Sequence, residues 1–221
     1  MKPILFNSEM VCAILDGEKT TTRRIIKPQP ELSYGRLTWV SGPVSFNTEN
    51  ASEFVQCAPY RPGDVLYVRE TYAENLNSEC IAGKTGKCPY SGCENPEGQC
   101  FQTHYVYFTD KQIVASNTKW HPSIHMPKEA ARIFLKVTDV KAERLQEIDV
   151  DGAISEGAWG DGVPNLPFSL LYAEHPNASC NAVASFAHIW DGTVKKSDLD
   201  RYGWAANPWT WVISFERCEK P

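Results

Sequence analysis

The chain has 221 residues, a hydrophobic fraction of 42% and a formal net charge of −5. Its length predicts one domain, spanning residues 1–221, and its hydrophobic fraction is sufficient for a sizeable core. The acidic balance argues against a general nucleic-acid coat protein, which is normally basic, but it is compatible with a local basic patch at Lys19, Arg23 and Arg24.

The sequence contains no signal for membrane insertion or secretion. No apolar run approaches the roughly 20 residues that a membrane-spanning helix needs. The apolar part of residues 1–6 is too short for a signal peptide. We therefore expect a cytoplasmic protein without a membrane partner, in which the eight cysteines are mostly reduced or metal-bound.

Strand and helix patterns alternate along the chain. In the N-terminal half, the residue patterns predict a strand over residues 2–6 and a helix capped by Asn7-Ser8 and ended by Gly17. They also predict extended segments over 20–26, 36–40 and 65–69. A Cys-rich insert over 75–103 is followed by strands over 105–108 and 132–140, a helix capped by Asp149 and ended by Gly157, a helix over 182–190 and a strand over 209–215. Several strands with few helices predict the α+β class, as a small β-barrel decorated by short helices.

The segment from Gly17 to Arg24 concentrates chemically active groups just after a helix end. Glycine is favoured there because it takes a positive φ without a Cβ clash. Lys19 and Thr22 supply an amine and a hydroxyl that converge if the chain turns between them, and such a pair can form an activated nucleophile. The alternative is a solvated connection between a helix and a strand.

Four segments together resemble the ASCH family, a relative of the PUA domains with a small β-barrel fold. The similarity is greatest to the longer ASCH proteins of phages and prophages, which implies a protein of the bacterial cytoplasm. The segments that carry the resemblance are residues 17–24, 62–68, 137–157 and 211–215. The resemblance does not extend to the insert or to residues 160–181.

The resemblance implies an activity and three catalytic residues. Family members include amidohydrolases that remove the acetyl group from N4-acetylcytidine, using a Lys and a Thr of the signature and a Glu from a later helix. These correspond to Lys19, Thr22 and Glu156, and the signature Arg corresponds to Arg24. This chain is about twice as long as those enzymes, so its insertions can cover or reshape the pocket.

The expected mechanism leaves one role open. Thr22 attacks the acyl carbon, Lys19 takes its proton, and Glu156 returns a proton. Burial and the neighbouring Arg23 and Arg24 lower the pKa of Lys19, whereas a nearby carboxylate raises it, so Lys19 is either the base or an oxyanion stabiliser. No cofactor is expected for catalysis.

Two further functions stay open from the sequence. The same barrel can bind RNA or a modified nucleic acid without catalysis, and a phage accessory protein can bind a host protein.

Other residues are candidates for substrate binding beside Arg23 and Arg24. Arg69 lies at the end of a predicted core strand next to Glu70, where the two residues either form an ordinary ion pair with each other or line the pocket. Trp120 lies in a loop with His121, where it either stacks on a base or packs internally beside a solvent-facing His.

The cysteines fall into two groups. Those outside the insert are expected to be small core or surface thiols, namely Cys12, Cys57, Cys180 and Cys218. Those within the insert are expected to hold one structural zinc ion, namely Cys80, Cys88, Cys93 and Cys100. Their gaps differ from tight Cys-x-x-Cys knuckles; two disulfides are the alternative, and His104 can replace one ligand.

Overall fold

The structure is a computed structural model that describes residues 1–33, 36–41, 44–48, 55–75, 104–110, 119–158 and 181–221. Its strands are β1 (Lys2–Leu5), β2 (Thr21–Ile25), β3 (Glu31–Ser33), β4 (Arg36–Ser41), β5 (Val44–Thr48), β6 (Val65–Arg69), β7 (Tyr72–Asn75), β8 (His104–Tyr107), β9 (Phe134–Arg144) and β10 (Trp209–Cys218). Its α-helices are α1 (Ser8–Leu15), α2 (Val150–Ser155), α3 (Asn181–Thr193) and α4 (Leu199–Tyr202).

Most predicted elements are confirmed. The predicted strands correspond to β1, β2, β4, β6, β8, β9 and β10, and the predicted helices to α1, α2 and α3. The sequence patterns do not predict β3, β5, β7 or α4. Asn75 ends β7, and residues 76–103 of the predicted insert lie outside the described residues.

The strands form three sheets. The largest has five strands in the order β1-β6-β9-β10-β2, and the smaller ones are β3-β4-β5 and β7-β8. Within the described residues the five-stranded sheet is open, since no pairing joins β1 to β2. The predicted mixture of α and β elements is therefore confirmed, and the closed barrel stays a prediction.

The chain divides into two compact units. The larger unit comprises Met1–Lys2, Cys12–Leu66 and Ile133–Pro221, and the smaller unit comprises Pro3–Val11 and Tyr67–Arg132. The single domain over residues 1–221 stays a prediction. None of the helices in the described ranges is long and apolar enough to span a bilayer.

Antiparallel pairing in the larger unit determines which residues share a face of the sheet. Strand β10 pairs with β9 on one side and with β2 on the other. Thr22 is opposite Ile213, and Arg23 is opposite Val212. Because side chains alternate along a strand, Thr22 and Arg23 point to opposite faces.

A helical layer completes the core of the larger unit. The apolar side of α3 packs against α2, and Trp190 Nε1 donates to the carbonyl oxygen of Tyr202 at 2.8 Å. The buried residues of this cluster include Leu145, Ile148, Ala153, Val183, Phe186, Trp190 and Trp204. Their burial holds α2 in place, and with it the residues that follow α2.

Candidate active site

The end of α1 delivers Lys19 to the site. Gly17 has a φ of +82°, and the backbone N–H groups of Glu18 and Lys19 donate to the carbonyl oxygen of Ala13 at 2.9 and 3.0 Å. This is the left-handed glycine cap that the sequence predicts, and it satisfies a carbonyl group that a helix end otherwise leaves unpaired. The chain therefore turns sharply before Lys19.

The end of α2 delivers Glu156. The Asp149 side chain caps the start of α2 by accepting from the N–H of Gly152 at 2.7 Å, and Gly157, with a φ of +83°, ends the helix. A Cβ added at Gly157 lies 3.3 Å from the Cβ of Ala13 and 3.6 Å from that of Lys19. The two helix ends approach closely because this position has no side chain.

Lys19 and Glu156 form a buried ion pair. Lys19 Nζ donates to Glu156 Oε2 at 2.6 Å and to the Glu156 backbone carbonyl at 2.8 Å. Their side chains are only 1% and 5% exposed. Two of the three predicted catalytic residues, Lys19 and Glu156, are therefore in direct contact, as a charge-assisted pair removed from water.

Arg23 binds the other oxygen of the same carboxylate. Its Nη1 donates to Glu156 Oε1 at 3.2 Å, and its Nη2 donates to Glu143 Oε2 at 3.4 Å. Its Nε is buried and has no hydrogen-bond partner among the described residues. Its guanidinium carbon lies 5.8 Å from the ring centre of Phe186.

Burial dominates the electrostatics of the cluster. It lowers the pKa of Lys19 below the ordinary value, and the Glu156 carboxylate opposes this effect, while the charges of Arg24 and Arg23 lower the pKa further. Burial also lowers the pKa of Arg24, against the opposing effects of Glu156 and Tyr60. Arg24 therefore lies within electrostatic range of Glu156 and Lys19.

Thr22 is buried in β2, at 2% exposure. By the alternation of the strand it shares a face with Arg24 and lies on the face opposite Arg23 and Thr21. The structure thus joins Lys19, Arg23 and Glu156 by direct contacts, and it positions Thr22 within the strand that begins two residues after Lys19.

A polar pocket opens on the Arg23 face of the sheet. Its volume is about 220 Å³. Its walls are Thr21, Arg23, Lys141, Glu143, Glu147, Asp149, Gly152, Ser155, Val212 and Ser214. The Thr21 hydroxyl is buried there without a partner in the described part of the chain. The sequence does not predict this pocket directly. Its only signal is the pair of polar residues at alternate positions of β9, Lys141 and Glu143, which share one face.

Arg69 and Trp120 belong to the smaller unit. Arg69 donates to the Ile124 carbonyl oxygen and to the Tyr67 hydroxyl, both at 3.3 Å. Trp120 packs edge-on against Phe108 with ring centres 5.3 Å apart. Their predicted contacts with a substrate stay predictions.

Glu70 is the buried carboxylate of the smaller unit. It accepts from Arg132 Nε at 2.9 Å and Nη2 at 3.0 Å, and from the Thr109 hydroxyl at 3.0 Å. Glu70 therefore forms its ion pair with Arg132, whereas the sequence suggested Arg69 as the partner.

The predicted zinc ligands Cys80, Cys88, Cys93 and Cys100 lie outside the described residues. Within the described ranges, no group of three or more His, Cys, Asp or Glu side chains is arranged to hold a metal ion. Three cysteines outside the insert are free thiols, namely Cys12, Cys57 and Cys218.

No family model matches the chain, and no curated protein or solved structure matches it.

Proposed function

We propose that this protein is an ASCH-type hydrolase that removes an acyl group from a modified nucleoside such as N4-acetylcytidine. One observation supports this proposal most: Lys19 and Glu156, two residues of the family's catalytic set, form a buried pair although they are distant in sequence. Buried charges with perturbed pKa values concentrate at functional sites because burying them for stability alone is costly. The accompanying proposal for the fold is a PUA-like β-barrel that includes the five-stranded sheet.

In the proposed reaction, Thr22 is the nucleophile. Its hydroxyl oxygen bonds to the acyl carbon while its proton moves to Lys19 Nζ. The carbon–nitrogen bond then breaks, the proton passes from Lys19 to the departing amine, and the acyl group remains on Thr22 as an ester. Water hydrolyses the ester with Glu156 transferring the proton, so that amide and water become amine and carboxylic acid.

The lowered pKa of Lys19 favours its role as the base. A lysine with an ordinary pKa is almost fully protonated at neutral pH and cannot accept the Thr22 proton. Burial increases the neutral fraction of the amine, which brings the pKa closer to the working pH that general-base catalysis requires.

A non-catalytic RNA-binding module is the alternative. Three carboxylates, Glu143, Glu147 and Asp149, line the polar pocket against two cations, Arg23 and Lys141. Phosphate groups are held by excess positive charge, so this pocket is a poor site for an RNA backbone. Thr22 lies on the other face of β2, so the charge of this pocket does not decide between the two functions, and the hydrolase proposal rests on the buried pair of Lys19 and Glu156.

Incubation with N4-acetylcytidine tests the proposal. Chromatography should detect cytidine and acetate in equal amounts. Thr22→Val removes the hydroxyl with little change of shape and should lower kcat/KM by about 1,000-fold or more, whereas Thr22→Ser keeps a hydroxyl and should retain measurable turnover.

Lysine variants provide the matched control. Lys19→Met should lose turnover by a factor of about 100 to 10,000, the usual contribution of a general base. Lys136→Met changes an exposed lysine of β9 and should leave turnover unchanged. Absence of turnover in the wild-type protein on acylated nucleosides, together with measurable affinity for RNA, would instead support the binding module.

A further inference from the structure

The guanidinium of Arg23 is already occupied by protein carboxylates. Its two terminal nitrogens contact Glu156 at 3.2 Å and Glu143 at 3.4 Å. The side chain is 4% exposed. Both terminal nitrogens therefore contact protein carboxylates in an enclosed setting, which differs from the substrate-binding role that the sequence predicts for Arg23.

The Glu156 carboxylate is held at both oxygens. Lys19 binds Oε2 and Arg23 binds Oε1. A carboxylate bound at one oxygen can turn about its last side-chain bond, whereas one bound at both has a defined orientation. The contact with Arg23 therefore determines how Glu156 meets Lys19.

We propose that Arg23 is a positioning residue, which fixes the Glu156 carboxylate against Lys19 and is itself fixed by Glu143 at the wall of the polar pocket. Its effect on turnover rests on the proposed hydrolase function, but its effect on Lys19 does not.

The balance of charge around Arg23 supports the role of Glu143 in holding Arg23. Glu156 alone faces three cations, Lys19 from the α1–β2 connection and Arg23 and Arg24 from β2. Glu143, from β9, adds a second negative charge on the Arg23 side and is 29% exposed. The other charged groups around the polar pocket are Lys141 of β9, Glu147 of the turn after β9, and Asp149 at the start of α2.

Arginine suits this position better than lysine. Its planar group carries separate N–H donors that can reach two carboxylates at once, whereas the lysine ammonium is a single compact charge on a flexible stem. Arg23→Lys therefore keeps the charge but removes the double contact, which makes it the decisive variant.

The experiment measures kcat, KM and the titration of Lys19. For Arg23→Lys we expect kcat on N4-acetylcytidine to fall about 100-fold, the effect of a small misplacement of a catalytic group, while KM stays nearly unchanged. We also expect the pKa of Lys19 to fall, because its pairing with Glu156 weakens. NMR of the Lys19 Nζ group, assigned with Lys19→Met, measures this pKa.

Glu143→Gln should produce smaller changes in the same directions, and the exposed Glu216→Gln should produce none. Circular dichroism verifies that each variant is folded.

Two outcomes overturn the inference. A rise in KM with kcat unchanged in Arg23→Lys means that Arg23 contacts the substrate. A Lys19 titration identical in wild type and folded Arg23→Lys means that Arg23 does not hold Glu156. If the wild-type protein has no turnover, the proposed function fails, and the titration alone decides the positioning role.

Discussion

At the residue scale, the central feature is one carboxylate shared by two buried cations. Taking Lys19, Arg23 and Glu156 out of water has a large desolvation cost, which their mutual attraction offsets only while the contacts are intact. Such a cluster contributes little net stability, yet it is very sensitive to loss of one member. This sensitivity makes the cluster testable without a substrate.

Glu156→Gln should destabilise the protein by about 3–5 kcal/mol, because it leaves Lys19 and Arg23 buried without their shared counter-charge. The measurement is the free energy of unfolding in urea. The same substitution at Glu216, which is 58% exposed and pairs with Lys136 at 3.6 Å, should change it by less than about 1 kcal/mol. Equal effects of the two substitutions would contradict the structure of the cluster.

Lys19 should also make stability depend on pH. Its pKa in the folded state is lowered from 10.5, so between the lowered value and 10.5 the unfolded chain binds more protons than the folded one. Stability contributed by this group therefore rises with pH across that window. We expect the difference in unfolding free energy between wild type and Lys19→Met to shift in favour of wild type as the pH increases. A flat or opposite trend in urea unfolding over this range would refute the lowered pKa.

At the element scale, the site depends on two helix ends closed by glycine. Gly17 and Gly157 both have positive φ values, but their surroundings differ. A Cβ at Gly17 has no atom within 4 Å, whereas a Cβ at Gly157 lies 3.3 Å from Ala13. The first glycine is required by backbone conformation alone, and the second by conformation and by close packing.

Gly17→Ala should therefore cost about 1–2 kcal/mol, the usual strain of a side chain in a left-handed conformation. Gly157→Ala should lower the stability by more than this. It should also reduce turnover, because Ala13 and Lys19 must move away from the new methyl group. Gly192→Ala is the control: this glycine lies in α3 with open space around its Cβ position, so alanine should stabilise by about 0.5–1 kcal/mol. Thermal or urea unfolding of the three variants measures how much each substitution changes the free energy of unfolding. A smaller loss of stability at Gly157 than at Gly17 would contradict the close packing around Gly157.

At the scale of the whole molecule, we propose that the Cys-rich insert binds one structural zinc ion. A polar segment with few apolar residues cannot offset its ordering entropy by burial, and four thiolates around zinc supply the missing stabilisation. Because four protein ligands leave no position for a reacting water, the ion should affect stability and not chemistry.

Elemental analysis of protein purified without chelator should give about one zinc per chain. Serine substitution of the insert cysteines, Cys80, Cys88, Cys93 and Cys100, should abolish zinc binding and lower the melting temperature. Serine substitution of Cys12, Cys57 and Cys218 should retain the zinc, since these are free thiols elsewhere in the chain. Metal-free protein, or disulfides within the insert after reducing purification, would exclude the zinc site.

The sequence by itself determined the features that arise from near neighbours. The Asn7 cap of α1, whose side chain accepts from the N–H of Met10 at 2.8 Å, and the Asp149 cap of α2 are local hydrogen bonds. The stops at Gly17 and Gly157 follow from backbone sterics, and strands such as β10 follow from aromatic and β-branched content. The weakly patterned β3, β5 and β7 could not be predicted in this way.

Only the tertiary structure decided the connections within the site. Lys19 and Glu156 are 137 residues apart in sequence, and Arg23 and Glu143 are 120 apart. The resemblance indicated the first pair, but no local pattern indicated the second, nor the polar pocket that Glu143 lines. Contacts of this kind arise when antiparallel pairing of β2, β10 and β9 and packing of α2 on α3 bring distant segments together, and burial then selects which charges pair.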